Sequence, residues 1–343
     1  MTTETSTRIP ARTSVAGRAR RLAAPMPAWA FVARNARRLA ALMPARAFAA
    51  GRARTLAALA LLGAVAACTG EAWTVAWSLG DEDGVRAPES AYYDADTGAL
   101  FISQMGEGGG GAKDGDGWIS KLATTGKILE DKWVVGLNAP KGLRSHRGTL
   151  WVTDIDRLIA IHIASGRIAH TVEVPDAKFL NDVAIDDEGA VYVSDMQTSR
   201  IHRYHNGELS VFAEGRDMEN PNGLLVEKDK LIVAAWGLDI QHDFSTAVPG
   251  RLYALDLKTR QRTDLTEPLG NLDGLEADGR GGHIVTDWVS GDVYRIRKGE
   301  VKIIMKLPKG SADIAFLTDR DRLIIPRMLE NQVTAFDLKA AAF

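Results

Sequence analysis

Oxygen-bearing side chains recur at one position of a motif that is repeated six times along the chain. The copies read PESAYYD, PKGLRSH, LNDVAID, PNGLLVE, LDGLEAD and SADIAFL. Their second residues are Glu89, Lys141, Asn181, Asn222, Asp273 and Ala312. Carboxylate and amide oxygens are the ligands of hard cations such as Ca²⁺, whereas soft metals prefer the His and Cys that this position lacks. If the six positions meet in space, they predict a site for one divalent cation, with Ca²⁺ as the best match.

Lys141 places a positive charge in this set and leaves two interpretations open. With Ca²⁺ bound between Glu89 and Asp273, the charge of Lys141 is left in excess, which favours a small substrate that carries a carboxylate. Alternatively, Lys141 pairs with Glu89 and replaces the metal, in which case the protein is a binding module.

Further strands follow each motif and would position it. A second apolar strand ends at Gln104, Asp154, Asp195, Ala235, Asp287 and Arg327. A third strand follows in all six units, and a weaker fourth strand follows in five of them. The motif copies are 52, 40, 41, 51 and 39 residues apart, which is typical of four-stranded propeller blades. The recurrence of Asp at three of the second-strand ends indicates a structural role in a turn or in hydrogen bonding between blades.

The last unit lacks its fourth strand, and the segment AWTVAWSL at residues 72–79 precedes the first unit. We therefore predict an all-β, six-bladed β-propeller with four antiparallel strands per blade, in which the N-terminal strand closes the last blade and removes two exposed edges. The first strand of each blade would line the central channel, so the second motif position would form a ring around it.

A glycine-rich segment, MGEGGGGAKDGDG, separates the second and third strands of the first unit. Seven of the twelve residues 106–117 are Gly. A phosphate-binding loop would need a following helix and a Lys–Ser/Thr pair, and the segment has neither. We predict a flexible loop at the rim of the first blade that could act as a lid.

Charge and hydropathy separate an N-terminal leader from the rest of the chain. Residues 1–67 contain eleven Arg, no Lys and one acid, Glu4, so the net charge of -2 for the whole chain leaves the remainder at -12. An acidic body is repelled by nucleic acid and by anionic lipid, which excludes both as main partners. The run LAALALLGAVAA at residues 56–67 is apolar but short, as in the core of a signal peptide.

The only cysteine of the chain, Cys68, follows this run within the tetrad VAAC. The tetrad resembles a bacterial lipobox, in which the cysteine is lipidated and becomes the mature N-terminus; a plain signal cleavage with an incidental Cys68 is the alternative. We predict a signal peptide with an Arg/Ala-rich extension at 1–67, for which Met43 is an alternative start, and a single propeller domain at 68–343. The protein would be a periplasmic lipoprotein of the bacterial cell envelope, held at the membrane only by its lipid.

The propeller region also resembles the senescence marker protein/gluconolactonase/regucalcin family of six-bladed propellers, over about residues 88–336. The matching motifs are PES at Glu89, LND at Asn181, PNGL at Asn222 and LDGL at Asp273. The resemblance implies that Glu89, Asn222 and Asp273 bind one divalent metal and that Asn181 lies beside it, in contact with substrate or metal. It also implies hydrolysis of a lactone or a related ester.

One residue departs from the pattern of the family. Its lactonases usually carry an Arg two residues before the first Asn, where it binds sugar, and this chain has Phe179 there. A polyhydroxylated sugar lactone is therefore not the expected substrate.

These observations predict a metal-dependent hydrolase that acts as a monomer on a small molecule held by Asn181 and Lys141. The ion would serve as a Lewis acid on the substrate carbonyl. Asp273 would be the general base or the nucleophile, and Asp182 is a second candidate, as a base or as an orienting group. The alternative function is a propeller that binds a ligand or a protein without turnover.

Overall fold

Short segments of alternating apolar and polar residues pair into six antiparallel sheets of four strands each, arranged as a six-bladed β-propeller. A computed structural model describes residues 73–339. The leader, Cys68 and the choice between start sites lie outside these residues. Within residues 73–339 there is no helix long and apolar enough to cross a membrane.

The strands of each blade run in order from the channel outwards. The first three blades consist of β2 (Pro88–Asp94), β3 (Ala99–Gln104), β4 (Gly117–Ala123) and β5 (Ile128–Leu137); β6 (Pro140–His146), β7 (Thr149–Asp154), β8 (Arg157–His162) and β9 (Arg167–Glu173); and β10 (Leu180–Ile185), β11 (Val191–Asp195), β12 (Arg200–His205) and β13 (Glu208–Glu214).

The other three blades include the last one, which the N-terminal strand completes. They consist of β14 (Pro221–Glu227), β15 (Lys230–Ala235), β18 (Leu252–Asp256) and β19 (Arg262–Asp264); β20 (Leu272–Ala277), β21 (His283–Asp287), β22 (Asp292–Arg297) and β23 (Glu300–Lys306); and β24 (Ala315–Leu317), β25 (Arg322–Arg327), β26 (Gln332–Leu338) and β1 (Trp73–Leu79). Short 3₁₀ helices span Asp81–Asp83, Arg216–Met218 and Met328–Glu330.

Closure of the ring by the N-terminal strand is confirmed. Strand β1 pairs antiparallel with β26, from Trp73 opposite Leu338 to Leu79 opposite Val333. Ser78 Oγ and Thr334 Oγ1 lie 3.0 Å apart across this pair. The pairing satisfies the backbone groups of β26 that would otherwise form an exposed edge.

Two blades carry insertions between their second and third strands, which explains the two long spacings in the sequence. Blade one has the glycine-rich loop between β3 and β4. Blade four has a two-stranded hairpin, β16 (Gly237–Ile240) and β17 (Thr246–Pro249), between β15 and β18. The hairpin was not predicted, because its polar, loop-like sequence hides a pairing that depends on the blade beneath it. The two insertions emerge from opposite blades at the same end of the propeller.

The core is divided among the six interfaces between neighbouring blades. Each interface holds one apolar cluster, as in the contact of blades one and two, where Phe101 and Ile119 pack with Leu143 and Leu150. Equivalent clusters fill the remaining interfaces, and the one between blades five and six includes Trp73 of the closing strand. Because the apolar side chains pack between blades, the central channel can be lined by polar residues.

Candidate functional site

A bulge at the start of the inner strands aims the repeated position into the channel. In five blades the pairing of first and second strands shifts register across this position, for example between Pro88 and Ala91 and between Leu272 and Leu275. A β-bulge sets two residues opposite one and redirects their side chains. The six positions thus form the predicted ring, and all are buried: Glu89 is 4% exposed, Asn181 5% and Asp273 3%.

Hydroxyl groups of the second strands lock this ring to the neighbouring blade. Ser194 Oγ donates to the Asn222 carbonyl at 2.7 Å, and Thr286 Oγ1 donates to the Ala312 carbonyl at 3.0 Å. Thr153 makes the same bond to the carbonyl of Asn181. Each bond joins one blade to the next and fixes the backbone of a ring residue. These hydroxyls precede the Asp that ends each strand, a regular sequence signal that was missed.

The Asp residues that end the second strands have the predicted structural role. Asp154 accepts the backbone N–H groups of Asn138 and Ala139, at 3.0 and 2.7 Å. Asp195 accepts the equivalent pair from Lys178 and Phe179, at 2.9 Å each. These carboxylates hold the chain that enters each inner strand.

Four residues of the ring carry a buried oxygen without a hydrogen-bond partner. These oxygens are Glu89 Oε2, Asn181 Oδ1, Asn222 Oδ1 and Asp273 Oδ1. A buried polar atom without a partner costs about 1–3 kcal/mol, so native proteins rarely keep several together. Carboxylate and amide oxygens with free lone pairs match the preferences of Ca²⁺. The predicted ligands Glu89, Asn222 and Asp273 therefore fit a hard cation by their chemistry.

No three His, Cys, Asp or Glu side chains in residues 73–339 are grouped so as to hold a metal by themselves. A cation in the ring would need the amide oxygens of Asn residues in addition to Glu89 and Asp273.

Burial and neighbouring carboxylates both disfavour the charged forms of the two acids in the ring. Burial and the neighbouring Asp273 raise the pKa of Glu89 well above its usual value. Burial, together with the charge of Asp182, does the same to the pKa of Asp273. Repulsion among buried carboxylates is what a bound cation would relieve.

Asp182 and Asp313 lie one residue after ring positions and bridge adjacent blades. Asp182 accepts the N–H of Val183 and, from the next blade, that of Leu224, both at 2.7 Å. Asp313 accepts the hydroxyl of Ser90 at 2.6 Å. Burial raises the pKa of Asp182 to about 6, although both of its oxygens already accept backbone donors. Asp313 was not recognised in the sequence, because its blade has Ala at the ring position.

Lys141 makes no ion pair with Glu89 within 4.0 Å. Its Nζ donates to the carbonyl of Ala139 at 3.0 Å and lies 4.5 Å from the ring centre of Phe179. Burial lowers the pKa of Lys141, while the charge of Glu89 acts in the opposite direction. This geometry gives no support to the interpretation in which Lys141 replaces the metal through a direct pair with Glu89.

An ion pair crosses the channel farther along the inner strands. Arg144 of blade two donates to Glu276 of blade five at 2.8 Å, and its guanidinium lies 5.1 Å from the ring centre of Tyr92. These residues stand three positions after the ring, and the pair joins opposite blades. Sequence reasoning missed it, because only the fold places residue 276 across from residue 144.

Comparison with known proteins places this chain in a family. A family model described as the SMP-30/Gluconolactonase/LRE-like region matches residues 87–326. The chain belongs to this family. The matched region begins two residues before Glu89 and includes all six ring positions, so the family resemblance drawn from the short motifs is confirmed. Among curated proteins, no match is found.

Solved structures that resemble this family member include proteins of different functions. A gluconolactonase from Xanthomonas campestris matches with a TM-score of 0.56 at 15% identity, covering 78% of this chain and 89% of that chain. A virginiamycin B lyase from Staphylococcus aureus matches with a TM-score of 0.53 at 15% identity, covering 78% and 99%. A chain of a nidogen/laminin complex matches with a TM-score of 0.54 at 18% identity, covering 68% and 89%. At such identities the likeness shows the fold alone, and function has to be argued from the site.

Proposed function

We propose that the protein hydrolyses a lactone or a related ester at the ring, with a Ca²⁺-type ion held by Glu89, Asn222 and Asp273. The observation that carries this proposal is the set of buried oxygens without partners, of which two belong to carboxylates with raised pKa values. Membership of the SMP-30/gluconolactonase/LRE-like family supports the reaction class. When bound, such an ion would polarise a substrate carbonyl and stabilise developing negative charge.

The other steps of the proposed hydrolysis are assigned to acidic side chains in and beside the ring. Asp273, which would also bind the ion, takes the proton of an attacking water. The water oxygen bonds to the carbonyl carbon, the ester C–O bond breaks, and the leaving oxygen takes up a proton. Asp182, held by two backbone donors, suits a positioning role between blades three and four better than direct proton transfer.

Asn181 and Lys141 are the proposed substrate contacts. The amide oxygen of Asn181 has no hydrogen-bond partner, so it can accept a bond from the substrate or complete the shell of the ion. Lys141 already donates to a backbone carbonyl, and an ammonium group has two further donors for an anionic substrate.

One observation favours the alternative of a propeller that binds without turnover. The ring residues are at most 5% exposed, so a substrate can reach them only if the covering residues move. If this movement does not occur, the ion would have a purely structural role.

Metal analysis of the purified protein, paired with a panel of lactones and esters, tests the proposal. We expect about one Ca²⁺ per chain and turnover that is lost on chelation and restored by Ca²⁺. Asp273→Asn should bind Ca²⁺ at least about tenfold more weakly, because ligand charge tunes affinity in such sites. Metal without turnover would favour the binding propeller, and absence of both metal and turnover would reject the hydrolase.

We further propose export and lipid anchoring through Cys68, from the apolar run and the VAAC tetrad that precede the propeller. Labelled fatty acid should enter the wild-type protein but not Cys68→Ala, and only the wild type should be recovered with the membrane. Label incorporation into Cys68→Ala would contradict this assignment.

A further inference from the structure

An apolar residue directly follows the second strand in every blade. The six residues are Met105, Ile155, Met196, Trp236, Trp288 and Met328. Five of them are at most 7% exposed, and Met328 is half-buried. Six large apolar side chains at one repeated position form a second circle in the propeller, which we call the collar.

Backbone hydrogen bonds place the collar next to the ring, on the side of the channel mouth. In five blades the N–H of the collar residue donates to the carbonyl two residues before the ring residue. Trp236 donates in this way to Asn220 at 2.9 Å, and Trp288 donates to Asn271 at 3.0 Å. The collar therefore lies between the ring and the end of the propeller from which both insertions emerge.

The collar residues of blades four and five, Trp236 and Trp288, are aromatic, and together with Phe179 and Phe244 beside them they form what we call the aromatic side of the collar. The ring centres of Trp236 and Trp288 lie 5.8 Å apart, and Phe244 of the hairpin lies 6.0 Å from Trp288. Phe179 packs in the same cluster, as does Ala312, the ring residue of the last blade. The cluster thus reaches the level of the candidate metal ligands.

The indole N–H group of Trp236 is already used within the protein. The indole Nε1 of Trp236 donates to the carbonyl of Phe244 at 3.0 Å. Phe179 has no polar group and is covered on one side by Lys141. Trp236, Phe179 and Phe244 therefore offer a ligand flat apolar surface and no free side-chain hydrogen-bonding group.

The glycine-rich loop crosses the mouth above this surface. A Cβ placed on Gly110 would lie 3.3 Å from Phe179 Cζ and 3.4 Å from Met105 Sδ, so the loop backbone lies directly on the collar residue Met105 and on Phe179 of the aromatic side. The loop is tied down by an ion pair of Lys113 with Asp156 in the next blade. A glycine backbone can lift from this surface without removing any large side chain from a core.

We propose that the substrate carries an aromatic ring, which binds to the aromatic side of the collar beneath the glycine-rich loop while its ester or lactone group reaches the ring of ligands. The inference rests on the proposed function only for the identity of the reacting bond. Aromatic rings that stack on aromatic side chains gain contact energy beyond the area they bury, and a sugar in the same place would leave its hydroxyls unpaired.

Matched substrates test this choice. A benzo-fused δ-lactone should be hydrolysed with a kcat/KM at least about tenfold higher than a polyhydroxylated δ-lactone of similar ring size. Phe179→Gln should reduce this ratio about tenfold, mainly through the KM of the aromatic substrate. Tyr204→Gln is the matched control, because Tyr204 is a half-buried aromatic residue of the same blade that lies on the third strand, away from the mouth; it should leave the ratio unchanged.

A binding measurement separates failure of this inference from failure of the hydrolase. The corresponding benzo-fused δ-lactam keeps the ring but resists hydrolysis, and calorimetry should show that it binds wild type and Tyr204→Gln but binds Phe179→Gln about tenfold more weakly. Lactam binding with this pattern, without hydrolysis of any lactone, would retain the collar site and reject the hydrolase. Hydrolysis with no preference for the aromatic lactone, or lactam binding unaffected by Phe179→Gln, would overturn the inference. If Phe179→Gln does not fold, Phe244→Gln on the hairpin takes its place, with the same expectation.

Discussion

The ring and the collar are two neighbouring circles of residues that differ in polarity and in how well their side chains are satisfied. The ring is polar, buried and incomplete: several of its oxygens lack partners, and its carboxylates repel one another. The collar is apolar and packed: Met196, Trp236, Trp288 and Met328 lie in one cluster, and the indole Nε1 of Trp236 donates to the carbonyl of Phe244. Burial of the collar side chains stabilises the fold. The unpaired oxygens and like charges of the ring destabilise it, but they leave groups that can bind a cation.

This difference predicts opposite responses to substitution. Removing a collar side chain should destabilise the fold, whereas removing a ring charge should stabilise the protein as long as no cation is bound. The two layers share one requirement, which is the closure of the propeller that holds both circles together.

Loss of closure should have the largest effect, because it disrupts both layers. Deletion of residues 73–79 leaves β26 as an unpaired edge and removes Trp73 from the core between blades five and six. We expect loss of cooperative thermal unfolding, or aggregation. Thr74→Ala, an exposed change within the same strand, is the control and should stay within about 0.5 kcal/mol of wild type. A truncated protein that melts like the intact one would show that β1 is dispensable.

A substitution confined to the collar should destabilise the fold less than the loss of closure, but still strongly. Trp288→Ala removes a side chain that is 7% exposed and packs on Trp236 and Phe244. The free energy of unfolding should fall by about 3 kcal/mol, as for other buried aromatic truncations. Denaturant titration measures it, with the exposed Leu329→Ala as the control. A change below about 1 kcal/mol would mean that the collar is not a packed layer.

Removing one charge from the ring should act in the other direction. Without metal, Asp273→Asn should raise the free energy of unfolding by about 1 kcal/mol, because it relieves repulsion among buried carboxylates. With saturating Ca²⁺ the order should reverse, since the ion stabilises the folded wild type more strongly. Thermal melts with chelator and with Ca²⁺ measure both.

Asp278→Asn in the same blade is the matched control for Asp273→Asn. Burial by itself would raise the pKa of Asp278. The backbone amides of Gly282 and Arg280 and the side chain of Arg295 donate to this carboxylate and hold its pKa below the usual value. Loss of this satisfied carboxylate should cost about 2 kcal/mol with or without Ca²⁺. If both variants lose the same stability in chelator, the ring is not charge-strained.

Substitution of Lys141, which lies in the ring and contacts Phe179 beside the collar, should have the smallest effect. Lys141→Met keeps the apolar stem over Phe179 and removes the charge, so Ca²⁺ affinity should rise by about threefold or stay level, because a nearby positive charge is gone. If Lys141 stands in for the metal, the variant should instead be strongly destabilised until Ca²⁺ is added. Calorimetric titration and melts of the same samples distinguish the two outcomes.

Much of the architecture was predictable, because it depends on local signals. The six motif copies, the second-strand ends at Asp154, Asp195 and Asp287, and the lone strand at 73–79 predict the blades and their closure. The ring position could be aligned for the same reason. The hairpin β16–β17 could not be predicted, since its pairing is stabilised by contacts such as the bond from Trp236 Nε1 to Phe244, which exist only on the assembled blade.

The sequence by itself therefore determined the repeat, the fold and the oxygen-bearing character of the ring, because residue type and period are local properties. Tertiary structure decided three further features: that one oxygen each of Glu89, Asn222 and Asp273 lacks a partner, that Arg144 meets Glu276 across the channel, and that an apolar collar lies above the ring. Each depends on side chains from blades that are far apart in sequence. Burial and charge repulsion arise only when closure brings those blades around one axis.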